Sequence, residues 1–324
     1  MRPATRIGRR LVRVSAFLWA AFAATAALAE APVDWLSRVA AAARVQNYSG
    51  TIVYQHGTHA ETSRIVHLND RGEEFEKLLS LEGPAREVIR SQGEVRCYYP
   101  DAKVVRIEPR TFRNAFPSLS PQQQKTLAEF YEFRMAETGR VAGRDVQAFV
   151  FEPKDGMRYG HKFWADAQTG LLLKARTFDE RNVIIEQFTF TEVSLGGRID
   201  RDMVKPTWSV TPDDWRTRRF GGAEAEVKET GWTVGRVPAG FVKIVEGFRQ
   251  LRGVPDVAHL VYSDGLVTVS VFVEPIVRAP HPIGYFAQGG INVYVRQVDD
   301  YLVTVLGEAP AVTIRQFANS VARR

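Results

Sequence analysis

The chain has 324 residues, 45% of them apolar, a formal charge of +6 at pH 7 and one cysteine. That length suits one large or two medium globular domains, and a single cysteine excludes an internal disulfide framework. Five of the 43 basic residues fall before position 14, so beyond residue 29 the balance is 38 basic against 37 acidic, and the case for a nucleic-acid-binding polycation disappears.

Arg2, Arg6, Arg9, Arg10 and Arg13 head an uncharged apolar run over 14–28, and Ala27-Leu28-Ala29 precedes Glu30. This pattern predicts a secretory signal peptide over 1–29, cleaved after Ala29, and an exported mature protein. The run is shorter than the roughly 20 residues of a membrane-spanning helix. A helix follows, capped by Asp34, with Trp35, Leu36, Val39, Ala40 and Ala43 at helical spacing. From Tyr48 the period becomes two, and short strands separated by Gly, Asn, Asp and Pro turns predict an antiparallel meander. Cys97 lies in one of these strands, where a small buried hydrophobe is expected. Residues 108–128 interrupt the meander as a loop and short helix. Strands then resume over 129–141, 144–152, 158–166, 171–178 and 182–194.

Residues 200–231 are polar, with two prolines and no sustained period, and read as an inter-domain connection. Trp208, Trp215 and Phe220 suggest that parts of it pack against a domain. A smaller unit follows, with strands over 241–250 and 257–263. A two-residue Asp264-Gly265 hairpin leads to 266–274. After a Pro- and Gly-rich loop over 274–290 come strands 291–297 and 302–306, then a helix opened by Pro310. The fold class is mainly β (α+β).

The chemistry is sparse. The sequence lacks a GxSxG elbow, an HExxH pair, a phosphate loop and a CxxC pair, so neither a catalytic residue nor a cofactor is indicated. In IVYQHGTHAETSRIVH (52–67), a turn at Gly57-Thr58 sets His56 opposite His59 and Tyr54 opposite Glu61. His67 lies roughly 26 Å down the strand, so a three-histidine metal site is excluded. A polar hairpin tip explains the stretch better than a metal. Phe112, Phe116, Leu119, Phe130 and Phe133, flanked by Arg110 and Arg113, could line the concave face of a curled sheet. Apolar side chains beside fixed cations would suit an acylated anionic lipid, and ordinary core packing is the alternative.

Several stretches occur together in collinear order: NYSGTIVYQHG (47–57), ETSRIVH (61–67), EGPAREVIR (82–90), EVRCYYPD (94–101), DGMRYGHKFWADAQTGLLLK (155–174), EQFTFTEV (186–193), GWTVGRVPAGF (231–241) and LVYSDGLVTVSVFVE (260–274). In this ensemble the chain resembles the MucB/RseB family, periplasmic negative regulators of the envelope-stress sigma factor. The resemblance implies a large half-open β-barrel like the LolA/LolB lipoprotein carriers, with short covering helices, over 30–200. It also implies a linker over 201–231 and a smaller β-rich domain with one helix over 232–324. It further implies binding to the periplasmic region of a single-span inner-membrane anti-sigma factor, which is thereby shielded from site-one proteolysis. Lipopolysaccharide or its lipid A part would release that partner. The residues it points to for partner binding are Tyr262, Asp264 and Gly265, with the linker residues Arg216, Arg218 and Arg219. The family is not known to carry a catalytic residue. A periplasmic lipid carrier of the LolA type is the competing reading, and homo-oligomerisation stays open.

Overall fold

The computed structural model describes residues 32–91, 93–109, 127–211, 214–219, 229–251, 254–276 and 282–324. The expected signal peptide lies outside them. Helix α1 (Pro32–Val45) buries Trp35, Val39 and Ala42, whose spacing of four and three places them on one stripe.

Two meanders follow. The first comprises β1 (Tyr48–His56), β2 (His59–Asp70), β3 (Glu73–Ser80), β4 (Glu87–Ser91), β5 (Glu94–Tyr99) and β6 (Val104–Pro109). The second comprises β7 (Tyr131–Val141), β8 (Arg144–Pro153), β9 (Gly160–Asp166), β10 (Leu172–Phe178) and β11 (Ile184–Leu195). β11 returns to pair with β1, so the meanders merge into one sheet, and β12 (Arg216–Arg219) completes it at twelve strands in the order β12-β6-β5-β4-β3-β2-β1-β11-β10-β9-β8-β7. Only β12 runs parallel to its neighbour. Its inner face wraps α1: the Trp35 ring lies 3.6 Å from that of Phe149 on β8, and the Asn69 amide of β2 donates to the Arg44 carbonyl at 3.0 Å. Cys97 is half-buried on β5, less enclosed than its sequence setting suggests.

Within 200–231, read from sequence as an inter-domain connection, β12 is a strand that no sequence period announced. Its sequence, RTRR, has no alternation to betray a strand. What fixes it is tertiary: Trp215 is buried among Ile89, Tyr98, Val105 and Ile107, and the Arg216 amide donates to the Lys103 carbonyl at 2.8 Å. Nearby, the fully buried Glu87 accepts from the Thr207 amide at 2.9 Å and pairs with Lys77 at 3.2 Å. This part of the connection is stapled to the sheet.

The smaller unit has six strands in the order β14-β15-β16-β19-β18-β17. They are β14 (Val242–Leu251), β15 (Val254–Ser263), β16 (Thr268–Pro275), β17 (Gly284–Gln288), β18 (Ile291–Val298) and β19 (Tyr301–Gly307). β13 (Trp232–Val234) pairs separately with β20 (Val321–Arg323). Helix α2 (Ala311–Asn319) begins after Pro310, whose fixed φ suits a helix start, and buries Thr313, Ile314, Phe317 and Ala318. Two expectations need correcting. β17 occupies part of the expected 274–290 loop, because its Gly284 and polar ends mask a strand that β18 stabilises. The β15–β16 connection is a four-residue loop, Ser263 pairing with Thr268, not a two-residue hairpin. There the Asp264 carboxylate accepts from the amides of Leu266 (3.0 Å) and Val267 (2.8 Å), a local bond that replaces the tight turn. One buried apolar cluster runs through both sheets, from Trp35, Phe151 and Phe163 to Leu260, Ile314 and Phe317.

Candidate functional site

The two sheets meet at a buried charge. Arg158 follows β8 in the DGMR stretch, and its guanidinium is fully enclosed. Its Nε donates to Asp264 Oδ2 at 2.8 Å, and its other nitrogens bond Asp155 and the Ala239 carbonyl. Tyr131 donates its hydroxyl to the same Asp264 oxygen at 2.9 Å. Burial, then the Asp264 charge, raise the Tyr131 phenol well above its ordinary value, so it stays a donor. The rings of Phe130 and Phe241 lie 4.5 and 5.1 Å from the guanidinium carbon. A Cβ on Gly240, which has φ +85°, would approach Phe130 to 2.6 Å and Arg158 to 2.7 Å, so only glycine fits. Three of the family-like stretches, DGMR, VPAG and YSDG, therefore converge on one ion pair. Around it, Thr313 of α2 donates to the Met157 carbonyl at 2.6 Å, and Asn292 of β18 donates to the Tyr159 hydroxyl at 2.9 Å.

A second contact lies at the tip of the first hairpin. The predicted pairs are present, with His56 opposite His59 and Tyr54 opposite Glu61. Tyr54 donates to Glu186 Oε2 at 2.5 Å, and burial followed by that bond raises its pKa. The Gly289-Gly290 turn of the smaller sheet sits against this row: a Cβ on Gly289 would lie 2.6 Å from His56 Nδ1, and one on Gly290 3.2 Å from Glu186 Oε2. Among the described residues no group of three His, Cys, Asp or Glu side chains is placed to hold a metal. Glu61 pairs instead with Arg86 at 3.3 Å.

Beneath α1 the large sheet holds a half-open cavity of about 300 Å³. Its apolar wall includes Tyr48, Ile52, Ile65, Leu78, Phe188 and Phe190, and Arg44, His67, Glu76 and Arg90 supply the polar rim. Arg90 bonds Glu76, and His67 Nδ1 lies 2.8 Å from the Gln46 carbonyl with its ring stacked on Tyr48. Burial raises the Tyr48 phenol, which therefore stays neutral.

The residues singled out from sequence are distributed as follows. Tyr262, Asp264 and Gly265 are buried, Tyr262 against Phe317 with ring centres 5.2 Å apart, so none of the three presents a free surface. Arg216, Arg218 and Arg219 are exposed on β12, and Arg219 pairs with Glu94 at 3.3 Å. Phe130 packs on Arg158 and Phe133 on Phe151, 5.0 Å between centres, so neither lines the cavity. Arg110, Phe112, Arg113, Phe116 and Leu119 lie outside the described residues. The residues that sequence reasoning missed are Arg158 and the cavity's Phe188 and Phe190. Arg158 gave only the weak signal of a cation between glycines in a β-rich region.

Comparison with known proteins adds the remaining evidence. The MucB/RseB N-terminal domain profile matches residues 31–208, and the MucB/RseB C-terminal domain profile matches 226–322. The sigma factor AlgU regulatory protein MucB of Pseudomonas aeruginosa is 32% identical over 304 residues, covering 89% of this chain and 90% of its own length. The sigma-E factor regulatory protein RseB of Escherichia coli is 23% identical, covering 93% of each. A crystal structure of MucB in complex with MucA(peri) is similar with a TM-score of 0.68 and 31% identity, over 90% of this chain and 98% of that one.

Proposed function

The chain belongs to the MucB/RseB family, and we propose that it binds the periplasmic region of a membrane-spanning anti-sigma factor and so represses an envelope-stress sigma factor. The observation that carries this reading is the similarity along nearly the whole chain to a MucB solved with MucA(peri). In this reading the protein is a binding protein of the periplasm without catalytic function, and residues 1–29 are its signal peptide. Residues 30–200 form the carrier-like domain, 201–231 the linker and 232–324 the smaller domain.

The Arg158–Asp264 pair gives the proposal a physical basis. It ties the two sheets together at one buried point, so in this reading Tyr262, Asp264 and Gly265 act on the partner by positioning rather than by contact. The exposed arginines 216, 218 and 219 are the linker residues assigned to touch an acidic segment. Bound partner would cover a site-one cleavage position. A ligand releases it only by binding the partner-free form more tightly. The cavity beneath α1 suits an acyl chain of lipid A, with Arg110, Phe112, Arg113, Phe116 and Leu119 as the further lipid contacts. It also gives some support to the carrier reading.

The test is calorimetric titration of the mature protein with the periplasmic segment of its own organism's anti-sigma factor. Micromolar or tighter binding, protection of that segment from site-one protease, and weakening by lipid A fragments are expected. Absence of binding sinks the regulatory reading, and lipid uptake without partner binding favours the carrier.

A further inference from the structure

The outer face of the large sheet carries an ion cluster that neither the seam nor the cavity uses. Strand pairing sets Trp164 of β9 opposite Lys174 of β10, and Lys162 opposite Arg176. The four side chains therefore share one face, while the alternating Phe163 and Ala175 belong to the cluster around Trp35 on the other. All three cations close on one indole: Lys162 Nζ lies 5.0 Å from the Trp164 ring centre, Lys174 Nζ 4.9 Å and Arg176 Cζ 5.3 Å. Trp164 is only 7% exposed, so the aliphatic stems cover it and it cannot insert into another molecule.

Cation–π attraction accounts for a cation over this ring, but not for three like charges gathered there. Their neutralisation is incomplete. Lys162 pairs with Glu137 at 2.8 Å. Arg176 gives its Nε to the neutral Gln187 Oε1 at 2.8 Å, which leaves the two terminal guanidinium nitrogens for another acceptor. Among the described residues, no carboxylate lies within salt-bridge distance of Lys174 or Arg176. Burial, then the charges of Arg176 and Lys162, hold the Lys174 ammonium below its ordinary value. An anion bound here would relieve that repulsion.

We infer that Lys162, Lys174 and Arg176 form an anion site for a phosphate group, with Trp164 as its floor. The surplus of two positive charges over Glu137 matches a dianion better than a single carboxylate. A guanidinium edge beside two point-like ammonium groups is the donor set that phosphate oxygens accept from. Two sources carry such a group, a soluble phosphoryl compound and the headgroup of a lipid surface. The covered indole limits the second case to headgroup contact. The site is independent of anti-sigma binding, so either idea can fail alone.

The experiment uses the full mature chain with two probes. One is inorganic pyrophosphate, followed by calorimetry. The other is phosphatidylcholine vesicles with and without phosphatidic acid, whose phosphomonoester approaches a dianion, followed by co-sedimentation. The unaltered protein is expected to bind at least one probe, more weakly as salt rises, and a Lys174→Gln, Arg176→Gln double variant to lose more than about tenfold. Pyrophosphate binding alone assigns a soluble ligand, whereas selective binding of anionic vesicles assigns a headgroup. A charge-keeping pair, Lys174→Arg with Arg176→Lys, should retain binding, which distinguishes lost charge from lost packing on Trp164. No binding of either probe, or equal binding by the double variant, overturns the inference.

Discussion

The two sheets solve the same packing problem differently. Both are antiparallel almost throughout, but α1 lays fourteen residues against twelve strands and α2 nine against six. In the smaller sheet Val269, Val271, Val303, Val305, Ile314 and Phe317 are all fully enclosed, and the face is sealed. In the larger sheet α1 seals the end over β8 and β9 and leaves about 300 Å³ near β1–β3. The difference teaches that alternation of apolar residues makes a face, whereas the helix laid on that face decides between core and cavity.

The joint between the sheets should show the largest effect. Arg158→Ala leaves Asp264 buried without its cation and is expected to cost toward the upper end of about 3–5 kcal/mol in urea unfolding. The Arg158→Met, Asp264→Asn pair should recover part of this, because both charges leave together. If Arg158→Ala unfolds like the parent, the pair does not hold the sheets. Next comes the sealed face: Phe317→Ala should cost about 3–4 kcal/mol by opening a void. Phe190→Ala should cost only about 2 kcal/mol, since that ring already borders empty space and has fewer contacts to lose. Equal losses in denaturant titration would erase the contrast between the sheets.

Acid should separate them as well. Burial depresses the His161 imidazole of β9 to about 4 and, with Arg249, the His259 imidazole of β15 to about 3. A depressed base binds its proton in the unfolded chain first, so its contribution is complete above about 6.5 and is lost as pH falls toward the folded value. For His161 the full loss is up to about 3 kcal/mol between pH 6.5 and 4. His161→Phe should flatten that part of a stability–pH curve, and an unchanged slope would remove His161 as its cause. The smallest effect on stability belongs to Leu78→Trp, which fills the cavity from β3. It should change unfolding by within about 1 kcal/mol, yet abolish binding of a fluorescent fatty-acyl probe. Retained probe binding would place any lipid elsewhere.

Much of the fold was legible because strand alternation is local. The expected strands 144–152 and 171–178 lie within one residue of β8 (Arg144–Pro153) and β10 (Leu172–Phe178), and the His56–His59 pairing followed from one glycine turn. β12 was not legible, since RTRR becomes a strand only through Trp215 and the edge of β6. The site was less legible still. Asp264 read as a hairpin residue available to a partner, because a turn sequence carries no information about which other turn will meet it. Arg158 lies 106 positions away and gives the carboxylate its reason to be buried.

The sequence alone determined the antiparallel β character, the order of the elements and the family, since composition, period and motif order are properties of the chain itself. Only the tertiary structure decided that three of its motifs converge on one buried ion pair, that Trp164 gathers three cations, and that α1 leaves a cavity. Each depends on residues distant in sequence being brought within a few ångströms, and the distance between strands is set by the whole sheet rather than by any one segment.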